Sequence, residues 1–167
     1  MLSGRRGSCT PCRILYLVGY ILLLRMGGTG MVLRRENGLL IFAAYRYIFN
    51  YNDALEAEIH ALMQGMALAL QHSDMPVIVQ SDSSNALATI EGDAWARSAY
   101  GHLTEEIKTL MVDREFIPMK ISRDHNRVAH LLVHYSRTNA CTAVWLNSNP
   151  SFCDDLLSRD CNPTCLE

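Results

Sequence analysis

Residues 53–83 read DALEAEIHALMQGMALALQHSDMPVIVQSDS, and the fold class turns on how this stretch is parsed. Leu55, Ile59, Leu62, Met66 and Leu70 recur at spacings of four, three, four and four, the apolar stripe of a helix from about Asp53 to Gln71. Asp53 with Glu56 three residues on makes a capping box, which accounts for Glu56 as a helix-end group. Glu58 stands three residues after Leu55 and four before Leu62, on the edge of the apolar stripe. A carboxylate there either bends out to solvent or faces a site. After Pro76 a short apolar strand, Val77-Ile78-Val79-Gln80, runs into Ser81-Asp82, and Ser83 caps a second helix reaching about Ile90. The alternation of helix, strand and helix is that of an α/β fold. Asp82 then lies at the carboxyl end of a strand, where open α/β sheets gather their ligands. Its alternative role is a helix cap in competition with Ser83.

Upstream, residues 31–35 and 39–45 are strand-like runs separated by Glu36-Asn37-Gly38, a tight hairpin signal because Asn and Gly tolerate positive φ. The glycines of Gly27-Gly28-Thr29-Gly30 lack the spacing and the Lys of a phosphate loop and read as a flexible lead-in to the hairpin. Downstream, a third helix is expected over about 96–112, and residues 116–122 form a strand that Pro118 confines to a sheet edge. A last helix begins near Asp124, with Val128, Leu131, Leu132 and Tyr135 on one face and the His130, His134 pair on the other. Such a pair binds metal or simply faces solvent. HLLVH lacks the glutamate of the zinc-protease pattern.

The chain has 167 residues, 49% of them hydrophobic and 19% charged, which excludes a disordered or collagen-like protein and supplies one packed domain. A net charge of −2 names no partner, but its distribution is uneven. Residues 1–48 hold seven Arg and one acid, residues 49–93 hold seven acids and no Lys or Arg, and residues 114–138 hold five bases against two acids. An acidic middle between basic flanks suits metal chemistry beside a polyanion and suits ordinary solvated faces equally. All six cysteines, at 9, 12, 141, 153, 161 and 165, lie outside the central 128 residues, and free thiols are the expected state. The uncharged run 14–24 (ILYLVGYILLL) is too short to span a bilayer as a helix. It reads as a signal-peptide core, a buried strand or a segment foreign to the domain, and the absence of a small-residue cleavage site favours an intracellular protein over a secreted, disulfide-bearing one.

Three segments and the chain's ending together carry a family resemblance. Residues 57–66 (AEIHALMQGM) are similar to a helix of the ribonuclease H-like superfamily, and residues 77–83 (VIVQSDS) resemble its strand ending in Asp-Ser. Residues 122–130 (SRDHNRVAH) and the ending 144–152 (VWLNSNPSF) resemble the plant reverse-transcriptase-like subfamily with its type-1 ribonuclease H domain. The resemblance spans about residues 27–160 and implies a mixed five-stranded sheet with helices on both faces. It implies hydrolysis of the RNA strand of RNA–DNA hybrids by two Mg²⁺ ions about 3.5–4 Å apart, held by converging carboxylates. Carried over residue by residue, Glu58 and Asp82 are the expected metal ligands and His130 the third catalytic group. Arg114, Lys120, Arg123, Arg127 and Arg137 are the expected phosphate contacts of a monomeric nucleic-acid-binding domain, unless they form a solvated basic face.

The chain departs from that pattern at two places. The family's first carboxylate is an Asp in strand one, roughly ten residues before the Gly-rich start of strand two, yet residues 1–35 contain no Asp or Glu. Its last carboxylate is replaced by His130, which brings no negative charge at neutrality. These departures divide the expectation between a hybrid ribonuclease and a binding module without turnover. They also divide the chain into a non-family segment (1–26) poorly packed on the rest, a domain (27–140) and a tail (141–167).

Overall fold

The structure, a computed structural model, describes residues 26–93 and 95–156 in full, and 13–21 and 157–159 as backbone. Its frame is a six-stranded mixed sheet built from β1 (Arg13–Ile21), β2 (Gly27–Arg35), β3 (Leu40–Ile48), β4 (Val77–Ser81), β5 (Phe116–Lys120) and β6 (Ala143–Leu146). The strand order is β5-β4-β1-β2-β3-β6. β1, β4 and β5 are parallel neighbours, while β2, β3 and β6 pair antiparallel.

The hairpin forms as read. Gly38 takes φ 84°, and the Arg35 and Leu39 backbones close the turn at 2.8 Å. α1 (Ala54–His72) starts at Asp53, whose side chain accepts the Glu56 N–H at 2.9 Å while the Glu56 carboxylate accepts the Asn52 N–H at 2.6 Å. The Glu56 N–H of the first turn and the Asn52 N–H just ahead of the cap are thus satisfied, and the stripe residues Ile59, Leu62 and Met66 are buried against the sheet. α2 (Ser84–Glu91) is capped by Ser83 through the Ala86 N–H. α3 (Gly101–Asp113) starts five residues later than its periodicity suggests. Residues 95–100 make successive turns instead, with Trp95 at φ 68° and the Ser98 hydroxyl bonded to Trp95 O at 2.6 Å. The last helix divides in the same way. A 3₁₀ turn (Arg123–His125) precedes α4 (Arg127–Asn139), and Asn126 between them leaves helical geometry at φ −107°, ψ 25°.

Helices α1, α2 and α3 cover one face of the sheet through Ile59, Leu62, Met66, Leu87, Leu103 and Ile107. α4 and the short α5 (Asp154–Arg159) cover the other, where Val128, Leu132 and Cys153 pack on Val32, Ala43 and Tyr45. β5 occupies an edge, as Pro118 requires.

Two expectations about the ends are corrected. Residues 1–26 do not stand apart as a whole, because the backbone of Arg13–Ile21 is the strand paired with both β2 and β4 at the middle of the sheet. A continuous apolar run is what a strand inside a sheet roofed on both faces requires. The sheet accordingly has six strands rather than five. Nor is 141–167 wholly a tail. β6 extends the sheet beyond β3, and the Phe152 ring stacks on Tyr135 with centroids 3.9 Å apart and planes at 2°. Tyr45 and Trp145 complete this aromatic nest, their rings 5.3 Å apart, and Tyr45 Oη lies 3.3 Å from Cys141 Sγ. Packing these three half-buried rings around the buried Tyr45 supplies stabilisation that a short C-terminal segment lacks by itself. Cys141 and Cys153 are free thiols, and the other four cysteines lie outside the described residues. Among the described residues no helix is long and apolar enough to cross a membrane.

Candidate functional site

β4 ends at Ser81 and the chain turns at Asp82 before Ser83 caps α2. Ser83 takes the capping role, so Asp82 is released from it. Its carboxylate turns to α4, where Asn126 Nδ2 donates to Oδ1 at 3.0 Å and His130 Nε2 lies 3.3 Å from Oδ2. The His130 imidazole, aided by the Asn126 amide, holds the Asp82 carboxyl down to about 2 against the opposing effect of partial burial. Asn126 and His130 are four apart, one above the other on the first turn of α4, so one carboxylate meets both.

Glu58 approaches from the opposite face of the sheet. Half-buried on α1, it accepts the Ser83 hydroxyl proton, and burial raises its pKa, with the neighbouring Asp82 charge adding to the shift and the Ser83 bond opposing it. Lys120, at the end of β5, donates its Nζ to the Asp82 carbonyl and is close enough to Glu58 to favour its charged form. The fold therefore brings Glu58, Asp82, His130 and Lys120 to one end of the sheet. Arg123 and Arg127 flank Asn126 in sequence and are exposed beside them.

The other two basic candidates are elsewhere. Val77 pairs with Phe116 at one end of the β4–β5 ladder and Ser81 with Lys120 at the other. Arg114, before Phe116, is thus at the far end from Asp82. Its guanidinium donates to Ser73 O and lies 3.8 Å from Asp74, pinning the end of α1. Arg137 lies ten residues beyond Arg127 on α4, about 15 Å along the helix, with its Cγ beside Gly28. Charge spacing along the chain shows neither displacement. His134 is exposed and has no part in the cluster.

Asn126 and Gly30 are site residues that sequence reading missed. The i, i+4 relation to His130 was the available signal for Asn126. Gly30 is not in a flexible lead-in: it is buried within β2, and a Cβ there would stand 2.3 Å from Ala129 O on α4. The missing side chain lets α4 lie close enough on β2 to carry Asn126 and His130 over Asp82.

The parallel register decides what strand one contributes. Leu17 pairs with Ser81, the residue before Asp82, and stands ten residues before Gly27. The position of the expected first carboxylate is therefore Leu17, with no Asp or Glu anywhere on β1. Among the described residues no group of three or more His, Cys, Asp and Glu side chains is placed to hold a metal ion. Two carboxylates, one held by Ser83 and one by Asn126 and His130, do not match the donor set of two closely spaced Mg²⁺ ions.

Residues 24–136 match the sequence profile of the reverse transcriptase-like family. The chain is similar in structure to the compost-metagenome enzyme LC11-RNase H1, solved in complex with RNA/DNA hybrid, at 22% identity and a TM-score of 0.69 over 77% of this chain and 98% of that one. It is also similar to RNase H1 of the halophilic archaeon Halobacterium salinarum, at 16% identity and a TM-score of 0.67 over 78% and 99% of the two chains. An N-terminal RNase H domain from Mycobacterium tuberculosis matches at 16% identity and a TM-score of 0.70 over 78% and 96%. At these identities the structural likeness shows the fold. No curated protein sequence matches the chain. The profile match covers more than half of the sequence, and on that ground the chain belongs to the reverse transcriptase-like family.

Proposed function

We propose that this domain binds nucleic acid, RNA–DNA hybrid foremost, without two-metal turnover. The observation that carries the reading is the state of Asp82: both carboxylate oxygens engage α4, and the adjacent strand-one position is Leu17. His130 serves there as a partner of Asp82, and Glu58 and Asp82 form the polar floor of a nucleic-acid site. Lys120, Arg123 and Arg127 at the same end of the sheet supply the positive charge that phosphates require. The hybrid as ligand is supported by family membership and by the hybrid-bound LC11 enzyme of the same fold.

The test pairs a binding measurement with a cleavage assay on one labelled hybrid. Salt-dependent binding without Mg²⁺-dependent cleavage is the expected result. Arg123→Ala and Arg127→Ala should each weaken binding alike across sequences and lower the salt slope by about 1. Cleavage by the unaltered chain, abolished in Asp82→Asn, would establish the ribonuclease reading instead. Neither binding nor cleavage would remove both.

A further inference from the structure

Among the side chains that meet at the end of β4 is a cation, Lys120. It closes β5 beside Ser81 in the parallel register. Alternation along the two strands sends its side chain to the face that α1 covers, because Phe116, Val77 and Val79 of the same rows lie in the core beneath that helix. Gln80 and Met119, one residue back on each strand, meet each other on the opposite face. Glu58 comes down from α1 on the Lys120 side. There the ammonium donates to the Asp82 carbonyl, and its charge favours the ionised form of Glu58. One protein cation thus holds the Asp82 turn and compensates the neighbouring carboxylate. Lys120 is exposed, so a phosphate can reach the same ammonium from solvent.

Two carboxylates at one end of a sheet repel a phosphate backbone unless cations neutralise them. A single Mg²⁺ is ordinarily held by one or two carboxylates together with a substrate phosphate, so Glu58 and Asp82 alone could recruit one ion to a bound strand. Lys120 already supplies positive charge to both residues. We infer that Lys120 stands in the place of a metal ion: its ammonium keeps Mg²⁺ from Glu58 and Asp82 and receives a phosphate of the hybrid itself. Binding is then independent of divalent cations. This rests on the proposed nucleic-acid reading and deepens it by naming what the site does not respond to. Lysine suits the role because its compact point charge has donors to spare once the Asp82 carbonyl is served. Arg127, exposed at the start of α4, provides the comparison, a cation that adds affinity by its charge alone.

The first measurement is fluorescence anisotropy with a labelled RNA–DNA hybrid, in chelator and in millimolar Mg²⁺ at one ionic strength. The unaltered chain is expected to bind equally in both. Lys120→Met should bind about tenfold more weakly in chelator, the loss of one charge-assisted hydrogen bond, and regain most of that affinity in Mg²⁺. Arg127→Ala should weaken binding in both conditions without recovery. Tighter binding of the unaltered chain in Mg²⁺, no loss in Lys120→Met, or a loss that Mg²⁺ does not repair overturns the inference. Mg²⁺-dependent cleavage of the probe overturns it together with the proposed function. The second measurement is carboxyl-detected NMR during a MgCl₂ titration without nucleic acid. Glu58 and Asp82 should show no saturable shift in the unaltered chain and a saturable one in Lys120→Met. A saturable shift in the unaltered chain, or none in either chain, also overturns the inference. If the unaltered chain fails to bind hybrid, the proposed function falls, and the titration alone decides whether Lys120 excludes the ion. An unchanged thermal transition checks that Lys120→Met is folded, and Lys120→Gln replaces it if it is not.

Discussion

Gly30→Ala is expected to destabilise the domain by about 3 kcal/mol, at the upper end of the cost of overpacking a tight contact. For a chain of this size that is a fall in Tm of about 9 °C. One methyl group suffices because the obstacle is backbone: the added Cβ would stand 2.3 Å from Ala129 O and 3.0 Å from Val133 Cγ2, and neither the β2 ladder nor the α4 helix yields without losing hydrogen bonds. The damage should also reach the site. Lifting α4 off β2 separates Asn126 and His130 from Asp82, so the Asp82 carboxyl should titrate nearer its ordinary value, which carboxyl-detected NMR would read. Gly92→Ala is the control. A Cβ there meets nothing within 4 Å and the backbone is extended, so its effect should stay within about 0.5 kcal/mol. Equal effects of the two substitutions would refute the role given to Gly30.

Asp82→Asn should cost about 2 kcal/mol at neutral pH and remove one acid-sensitive component of stability. In the folded chain the Asp82 carboxyl sits at about 2, against an ordinary value of 3.8, with only 23% of its side chain exposed. A depressed carboxylate contributes its full stabilisation above the unfolded pKa, and loses it as pH falls through the folded one. Wild-type stability should therefore decline between about pH 4 and pH 2 by the amount that Asp82→Asn removes at neutrality. Glu58 has the opposite sign: burial raises its pKa, so its charged form opposes folding at neutral pH and relief comes on acidification. Denaturant unfolding across that pH range in the wild type and Asp82→Asn isolates the Asp82 contribution. An undiminished acid limb in the variant would show that other carboxylates govern it.

Local sequence was sufficient wherever one short-range rule had no competitor. The Asp53–Glu56 capping box and the stripe from Leu55 to Leu70 set α1, Asn37-Gly38 set the hairpin, and Ser83 set the start of α2. Glu58 and Asp82 were legible as a candidate pair because one interrupts an apolar stripe and the other ends a strand. The starts of α3 and α4 were less legible. The Trp95–Tyr100 turns and the Asn126 break depend on side chains reaching backbone or distant groups, which periodicity does not register.

Ordering between elements was not written in any local pattern. The run at 14–24 satisfies a signal core and a central strand equally, because both demand only continuous apolarity. Pairing with β2 and β4 decided for the strand and placed Leu17 beside the Asp82 turn. The five basic residues of 114–138 looked equivalent in sequence, yet the two ends of the β4–β5 ladder put Arg114 with Asp74 and Lys120 with Asp82. The aromatic nest likewise needed β6 and α4 to meet before Phe152 could stack on Tyr135. By itself the sequence determined the family, the class of fold, and the shortage of carboxylates, since composition and periodicity are properties of the chain. The tertiary structure alone decided that Asp82 is engaged by Asn126 and His130 and that Gly30 must carry no side chain. Both depend on how closely two elements approach in space, a distance that no spacing along the sequence encodes.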